Sequence, residues 1–184
     1  MDVLHQLGRT LRRIHAIPQA PFYRSALFPG SRTRDTFVAR ARTNLAHAVQ
    51  VIETTHNLWP LDIAPADLAS RVLAMLPAAV ELVALHSNPG PVHTFVQPDT
   101  LDFVGLIDFG DAYISHPVLD WRWPTHADRV ALLHGYCDEA PATDEFMAVW
   151  HTGLVLSDMV ALATRTETRP QALEKLRDLL VTFT

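Results

Sequence analysis

Residues 86–111 read HSNPGPVHTFVQPDTLDFVGLIDFGD. Two short apolar runs, Thr94 to Gln97 and Leu101 to Ile107, are parted by Pro98-Asp99-Thr100, which has the composition of a tight turn. They predict two short strands closing into a hairpin. Leu82 to Leu85 is a further short apolar run just upstream, and HPVLDW downstream carries Asp120 and Trp121. Polar and turn-forming residues crowd this region, and functional side chains favour such loops over regular elements.

On both sides the apolar residues recur at helical spacing. Leu4, Leu7, Leu11 and Ile14 predict an amphipathic helix over residues 2–16, stopped before Pro18. Pro18 to Gly30 reads as a proline-punctuated loop. Phe37, Ala41, Leu45, Ala48, Val49 and Ile52 predict a long helix from Asp35 that ends near His56 and Asn57. Pro65 suits the first turn of another, carrying Leu68, Val72, Met75 and Leu76. After the hairpin, Pro117 opens a short turn, helices follow over residues 126–137 and 143–164, and Pro170 starts the last. The expectation is one domain, residues 1–184, mainly α with a short β-hairpin, an α+β fold.

Composition narrows the function classes. With 184 residues, 48% hydrophobic, 19% charged and a net charge of -5, the chain can bury a core, which excludes disordered, collagenous and coiled-coil classes. Fourteen of the basic residues are arginine and one, Lys175, is lysine. Arginines gather in the first 42 residues, but on solvated helix faces with no interleaved stacking aromatics, which argues against nucleic acid. His5, Gln6 and Arg9 interrupt the first apolar residues, so a signal-peptide core is not expected. No unbroken apolar run reaches membrane-spanning length. A lone cysteine, Cys137, at an apolar helix position, fits a cytoplasmic, reducing setting.

The motifs His86-Ser87-Asn88, His93, Ile107-Asp108-Phe109-Gly110 and Asp120 resemble those of the aminoglycoside phosphotransferase family, in its protein-kinase-like C-terminal lobe. The resemblance covers about residues 4–165 and is strongest over residues 105–121. It implies that Asn88 occupies the position of the catalytic aspartate, that His93 and Asp108 are metal ligands, and that His86 is structural. Asp120 is implied to hold the catalytic loop from behind. It further implies Mg2+, ATP and a small-molecule hydroxyl substrate. Phosphoryl transfer needs a carboxylate to orient the attacking hydroxyl and metal ions on the terminal phosphates, all in one pocket. Asp111, with Asp144, is expected near a cationic substrate.

The departures from the family pattern bear on activity. Asn88 cannot accept a proton as a carboxylate does. Ser87 stands where the family has glycine, and the His93 imidazole suits softer divalent ions better than magnesium. The chain begins where the family's C-terminal lobe begins, so the nucleotide-binding lobe is expected to be lacking. Lys175 is too late in the chain to pair with ATP phosphates, and seven scattered glycines build no phosphate-cradling loop. The expectation is therefore a phosphotransferase of impaired activity. The alternative is a non-catalytic, pseudokinase-type module that recruits a protein partner or a second copy through an exposed lobe interface. Other classes read poorly. Ser87 and Ser157 lack a GxSxG elbow, His134 beside Cys137 is ordinary helix spacing, and a two-His-one-carboxylate site of His86, His93 and Asp108 lacks a helical HxxxH spacing.

Overall fold

A computed structural model describes residues 2–24, 34–77, 82–121, 123 and 125–182. Residues 25–30 of the expected proline-rich loop, and Arg122 and Pro124 beside the tryptophans, lie outside the described residues. Two compact units result, one of Met1–Arg34 with Val80–Thr143, the other of Asp35–Ala79 with Asp144–Thr184.

The first unit opens with α1 (Val3–His15), whose Asp2 side chain accepts from the Leu4 amide at 3.2 Å as an N-cap. One short helical turn, α2 (Ala20–Tyr23), stands inside what reads as loop from Pro18, with proline in its first turn. Then come β1 (Val83–Leu85), β2 (Thr94–Val96), β3 (Phe103–Leu106), β4 (Tyr113–Ser115) and α5 (His126–Tyr136). The hairpin is present: β2 and β3 are antiparallel, pairing Thr94 with Leu106 and Phe95 with Gly105, and the register shifts between Phe95 and Val96. Its turn is closed by Leu101, at φ 57°, whose amide donates to the Gln97 carbonyl at 2.8 Å.

A second sheet was not foreseen from the sequence. β1 pairs with β4, Val83 to Ser115 and Leu85 to Tyr113, and β1 is buried along its whole length. Helix α1 lies on α5 with almost no space between backbones. A Cβ added at Gly8 would collide with the Leu132 carbonyl, and one at Gly135 with the carbonyl of His5. Both glycines are therefore needed for this close approach. A capping box between Thr125 and Asp128 starts α5.

The second unit is helical: α3 (Arg34–Thr54), α4 (Pro65–Ala74), α6 (Asp144–Thr164) and α7 (Arg169–Thr182). Asn57, at φ 58°, takes the left-handed conformation that asparagine tolerates just beyond a helix end, matching the expected stop of α3. The core gathers Leu45, Ile52, Leu68, Val72, Met159, Leu162 and Leu176 from all four helices. By length and composition α6 is apolar enough to cross a membrane; here its apolar residues Val155, Met159 and Leu162 line the core of this unit.

Candidate functional site

The site is built by the ends of three strands in the first unit. β1 delivers its chain into the core at His86, which is fully buried, and Ser87 then turns the backbone through the left-handed region at φ 80°. This is the position where a glycine would be unstrained, and the residue carries a Cβ in spite of it. Asp120 makes the conformation tenable. It is fully buried at the end of a 3-10 turn over Pro117–Asp120. Its Oδ2 accepts from the His86 amide at 2.9 Å and its Oδ1 from the Ser87 amide at 2.7 Å. These are charge-assisted bonds in a dry setting, among the stronger hydrogen bonds a protein makes.

The same carboxylate has a third partner that sequence reasoning missed. His15, buried at the end of α1, approaches Asp120 Oδ2 with Nε2 at 3.0 Å, while its Nδ1 lies 3.0 Å from the Tyr136 hydroxyl on α5. Both long helices of this unit are thereby tied to the back of the loop. The Tyr136 ring also meets buried Trp121 edge-on at 4.9 Å. The Trp123 indole N–H donates to the Pro89 carbonyl at 2.8 Å and so holds the loop beyond Asn88.

Both ring nitrogens of His86 are occupied by backbone. Nε2 donates to the Ile107 carbonyl at 2.8 Å, and Nδ1 accepts from the Asn88 amide at 3.3 Å. The Phe109 ring packs against the imidazole, centroids 4.4 Å apart. His86 therefore cannot ligate a metal, and the two-His-one-carboxylate arrangement fails. From the other side, the Ile107 amide donates to the His93 carbonyl at 3.1 Å. Held at both its amide and its carbonyl, Ile107 leaves Asp108 in the left-handed region at φ 66° and ψ 64°. Gly110 leaves room beside that carboxylate, since a Cβ there would stand 3.3 Å from Asp108 Oδ1.

His93 completes the site. It ends a 3-10 turn over Pro91–His93, and its Nδ1 donates to the Asn88 carbonyl at 2.8 Å. Its Nε2 stands 3.4 Å from Asp108 Oδ2. The Asp108 side chain is 62% exposed, whereas that of His93 is 18% exposed. Two ligand atoms at this separation lie within reach of one divalent ion bound at about 2.0–2.2 Å by each. Among the described residues no group of three His, Cys, Asp or Glu is placed to hold a metal. An ion held by this pair would need its remaining ligands from elsewhere.

The structure thus joins His86, Asn88, His93, Asp108 and Asp120 through direct hydrogen bonds and the close His93–Asp108 approach. Asp111 is exposed at the end of the 3-10 turn after Asp108, and Asp144 belongs to the first turn of α6 in the other unit. His116 is fully buried, and its Nδ1 accepts from the Val118 amide at 3.2 Å. Burial, reinforced by neighbouring His15, pushes its pKa down from 6.5 to about 3. Cys137 is half-buried just beyond α5.

Comparison with solved structures gives the same architecture. The chain is 15% identical to aminoglycoside 2'-phosphotransferase-IIIa in its GDP complex, with a TM-score of 0.55 over 98% of this chain and 62% of that one. It is 18% identical to the macrolide 2'-phosphotransferase MphH from Brachybacterium faecium, with a TM-score of 0.52 over 95% and 60%. Against aminoglycoside-3'-phosphotransferase of type VIII the figures are 19%, 0.50, 86% and 60%. At these identities the likeness speaks to the fold, and the chain spans about 60% of the length of these enzymes. No curated protein sequence matches the chain. The profile of the phosphotransferase enzyme family matches residues 2–149, most of the sequence and every residue of the site just described, and the chain belongs to that family.

Proposed function

We propose that the chain carries a nucleotide and metal site of the phosphotransferase type, ancestrally moving the ATP γ-phosphate to a small-molecule hydroxyl and impaired in that transfer by Asn88. The observation that carries this reading is the His93–Asp108 pair, 3.4 Å apart beside the backbone of Asn88. In the transfer, the bond from the γ-phosphorus to the bridging oxygen of ADP breaks and one to the substrate oxygen forms, while the hydroxyl proton must leave. A bound divalent ion would neutralise charge on the phosphates, and His93 and Asp108 would hold it. Asn88 can donate a hydrogen bond to the hydroxyl oxygen or accept one from its proton, which orients it. It cannot take the proton, so the proton passes to phosphate or solvent. The GDP in the structure of one neighbour supports a purine nucleotide as the ligand class.

The experiment is calorimetric titration of the full chain with ATP and Mg2+, with GTP in parallel. Binding that is lost in Asp108→Ala, and transfer that rises in Asn88→Asp, are the expected results. No nucleotide binding, or indifference to both substitutions, would overturn the reading. A second reading has its own observation. Val92, Phe95, Leu101, Val104, Ile107 and Phe109 are large apolar side chains left exposed on and around the hairpin, a concentration that suits a binding or self-association module. Light scattering tests it: a concentration-dependent dimer dispersed by Phe95→Ser and Val104→Ser supports the module, and a monomer at every concentration removes self-association.

A further inference from the structure

We propose that the second unit carries a binding cavity of its own for an amphipathic zwitterion, a molecule with one carboxylate, one ammonium group and an apolar body, the class of apolar amino acids and short apolar peptides. The cavity measures about 520 Å3, an ordinary size for a small-molecule site. It is formed by the segment leading into α4, by α4 and by α7, all in the second unit, so it shares no residue with the His93–Asp108 site.

The walls are restrained by the local sequence. Beyond α3, the Trp59 indole N–H donates to the Ile63 carbonyl at 2.6 Å and closes the intervening residues into a loop. Pro60 within that loop and Pro65 at the start of α4 have fixed φ, which stiffens the rim. Leu68, fully buried, lines the cavity with half-buried Leu61, Ile63 and Leu180. Each helix adds a guanidinium three residues from its leucine and on the same face, Arg71 beside Leu68 on α4 and Arg177 beside Leu180 on α7.

The charges then select the ligand. Asp62 and Asp67 also line the cavity, so it holds two positive and two negative groups. Among the described residues, none of these four side chains is in an ion pair or a hydrogen bond. Asp67 and Arg71 stand four apart on α4 with the acid first, the order that favours pairing, and still no ion pair joins them. A simple anion would meet two carboxylates and a polycation two guanidiniums, whereas a zwitterion complements both signs. The planar guanidinium fork suits the ligand's carboxylate. All four charged residues are exposed, where ion pairs alone contribute little, so the apolar body against Leu61, Ile63, Leu68 and Leu180 has to supply much of the affinity.

The test is a heteronuclear NMR titration of the isotopically labelled full chain with L-phenylalanine and with L-phenylalanyl-L-leucine, which separate a free amino acid from a peptide as the source. The N-acetylated form of each lacks the ammonium charge, and the C-amidated form lacks the carboxylate. Saturable shifts at the Ile63, Asp67 and Arg177 amides are expected with at least one zwitterion, and both of its blocked forms should bind about tenfold more weakly. The double variant Arg71→Gln with Arg177→Gln, shown to be folded by circular dichroism, should bind the zwitterion no better than the native chain binds the amidated form. Asp62→Asn with Asp67→Asn should do the same relative to the acetylated form. Absence of saturable shifts at these amides with both zwitterions overturns the proposal. So does a blocked form that binds as tightly as its parent, or undiminished zwitterion binding in both double variants.

Discussion

Replacing Asp120 with asparagine tests the claim that this carboxylate holds the loop. Oδ2 serves the His86 amide and His15 Nε2, and Oδ1 serves the Ser87 amide. An asparagine has one oxygen to give, and whichever way it turns, its NH2 points at a backbone N–H. The better orientation keeps oxygen at the Oδ2 position, retaining two partners, and sets the NH2 against Ser87. Hydrogen bonds to charged groups contribute about 1.5–3 kcal/mol each. Losing one, weakening two by removal of charge and opposing two donors in a fully buried place should cost about 3–5 kcal/mol. Against a typical total of about 5–15 kcal/mol, the urea midpoint should fall by about a fifth or more. Hydrogen exchange adds residue detail: the Ser87 amide should lose most of its protection, while that of His86 keeps much of its own. A loss under about 1 kcal/mol, or equal protection at Ser87 before and after, would show that the Asp120 carboxylate does not hold the loop.

Three further outcomes are expected. His116 has a folded pKa of about 3 against 6.5 for the free side chain, so between those values the unfolded chain binds the extra proton. The stability it contributes is complete above pH 6.5 and drains by about 1.4 kcal/mol per unit as pH falls through that window. Acid-unfolding curves should show this, with the partly buried His151, also lowered by burial, adding in the same sense. His116→Asn, which can still accept from the Val118 amide, should move the acid midpoint to lower pH, and an unmoved midpoint counts against the assignment. Gly135→Ala forces a methyl into the carbonyl of His5 and should cost about 3 kcal/mol or more in denaturant unfolding; a neutral result would show that α1 and α5 are not so closely packed. Ser87→Gly relieves a left-handed residue, a cost of about 1–2 kcal/mol, and adds about 0.5–1 kcal/mol of unfolded-state entropy, so stability should hold or rise slightly in thermal melts. Ser87→Ala keeps the Cβ and should not gain, and equal behaviour of the two variants would remove backbone strain as the cause.

The helices were legible because their apolar residues repeat over many turns, and the hairpin because a proline-led turn separates two runs. The pairing of β1 with β4 was not, because three-residue strands carry no period, and Tyr113-Ile114-Ser115 follows a turn that looks like the end of the hairpin. His15 was missed for a different reason. Leu4, Leu7, Leu11 and Ile14 look like the buried stripe, but the fully buried leucines are Leu7 and Leu11, and the next position on that line is His15. A histidine on the buried line of a helix needs a polar partner. That signal, followed to HPVLDW, would have pointed to Asp120. The helix glycines at positions 8 and 135 offered a similar hint of close helix contact.

Two residues with side chains, Ser87 and Asp108, are held in the left-handed region on either side of this site. Each such conformation costs on the order of 1–3 kcal/mol and persists only where its surroundings determine it. Here the determinants are backbone and buried groups: Asp120 on the His86 and Ser87 amides, and His86 with His93 on Ile107. None of these bonds uses the side chain of residue 88. The position that the family resemblance gives to a base can therefore change from carboxylate to amide without loosening the frame around it. This separates two properties that usually travel together in such enzymes. Geometry for binding phosphate and metal depends on the frame, and proton acceptance depends on one side chain. On the function proposed above, a chain that keeps the first and alters the second would hold a nucleotide and metal more readily than it would turn them over.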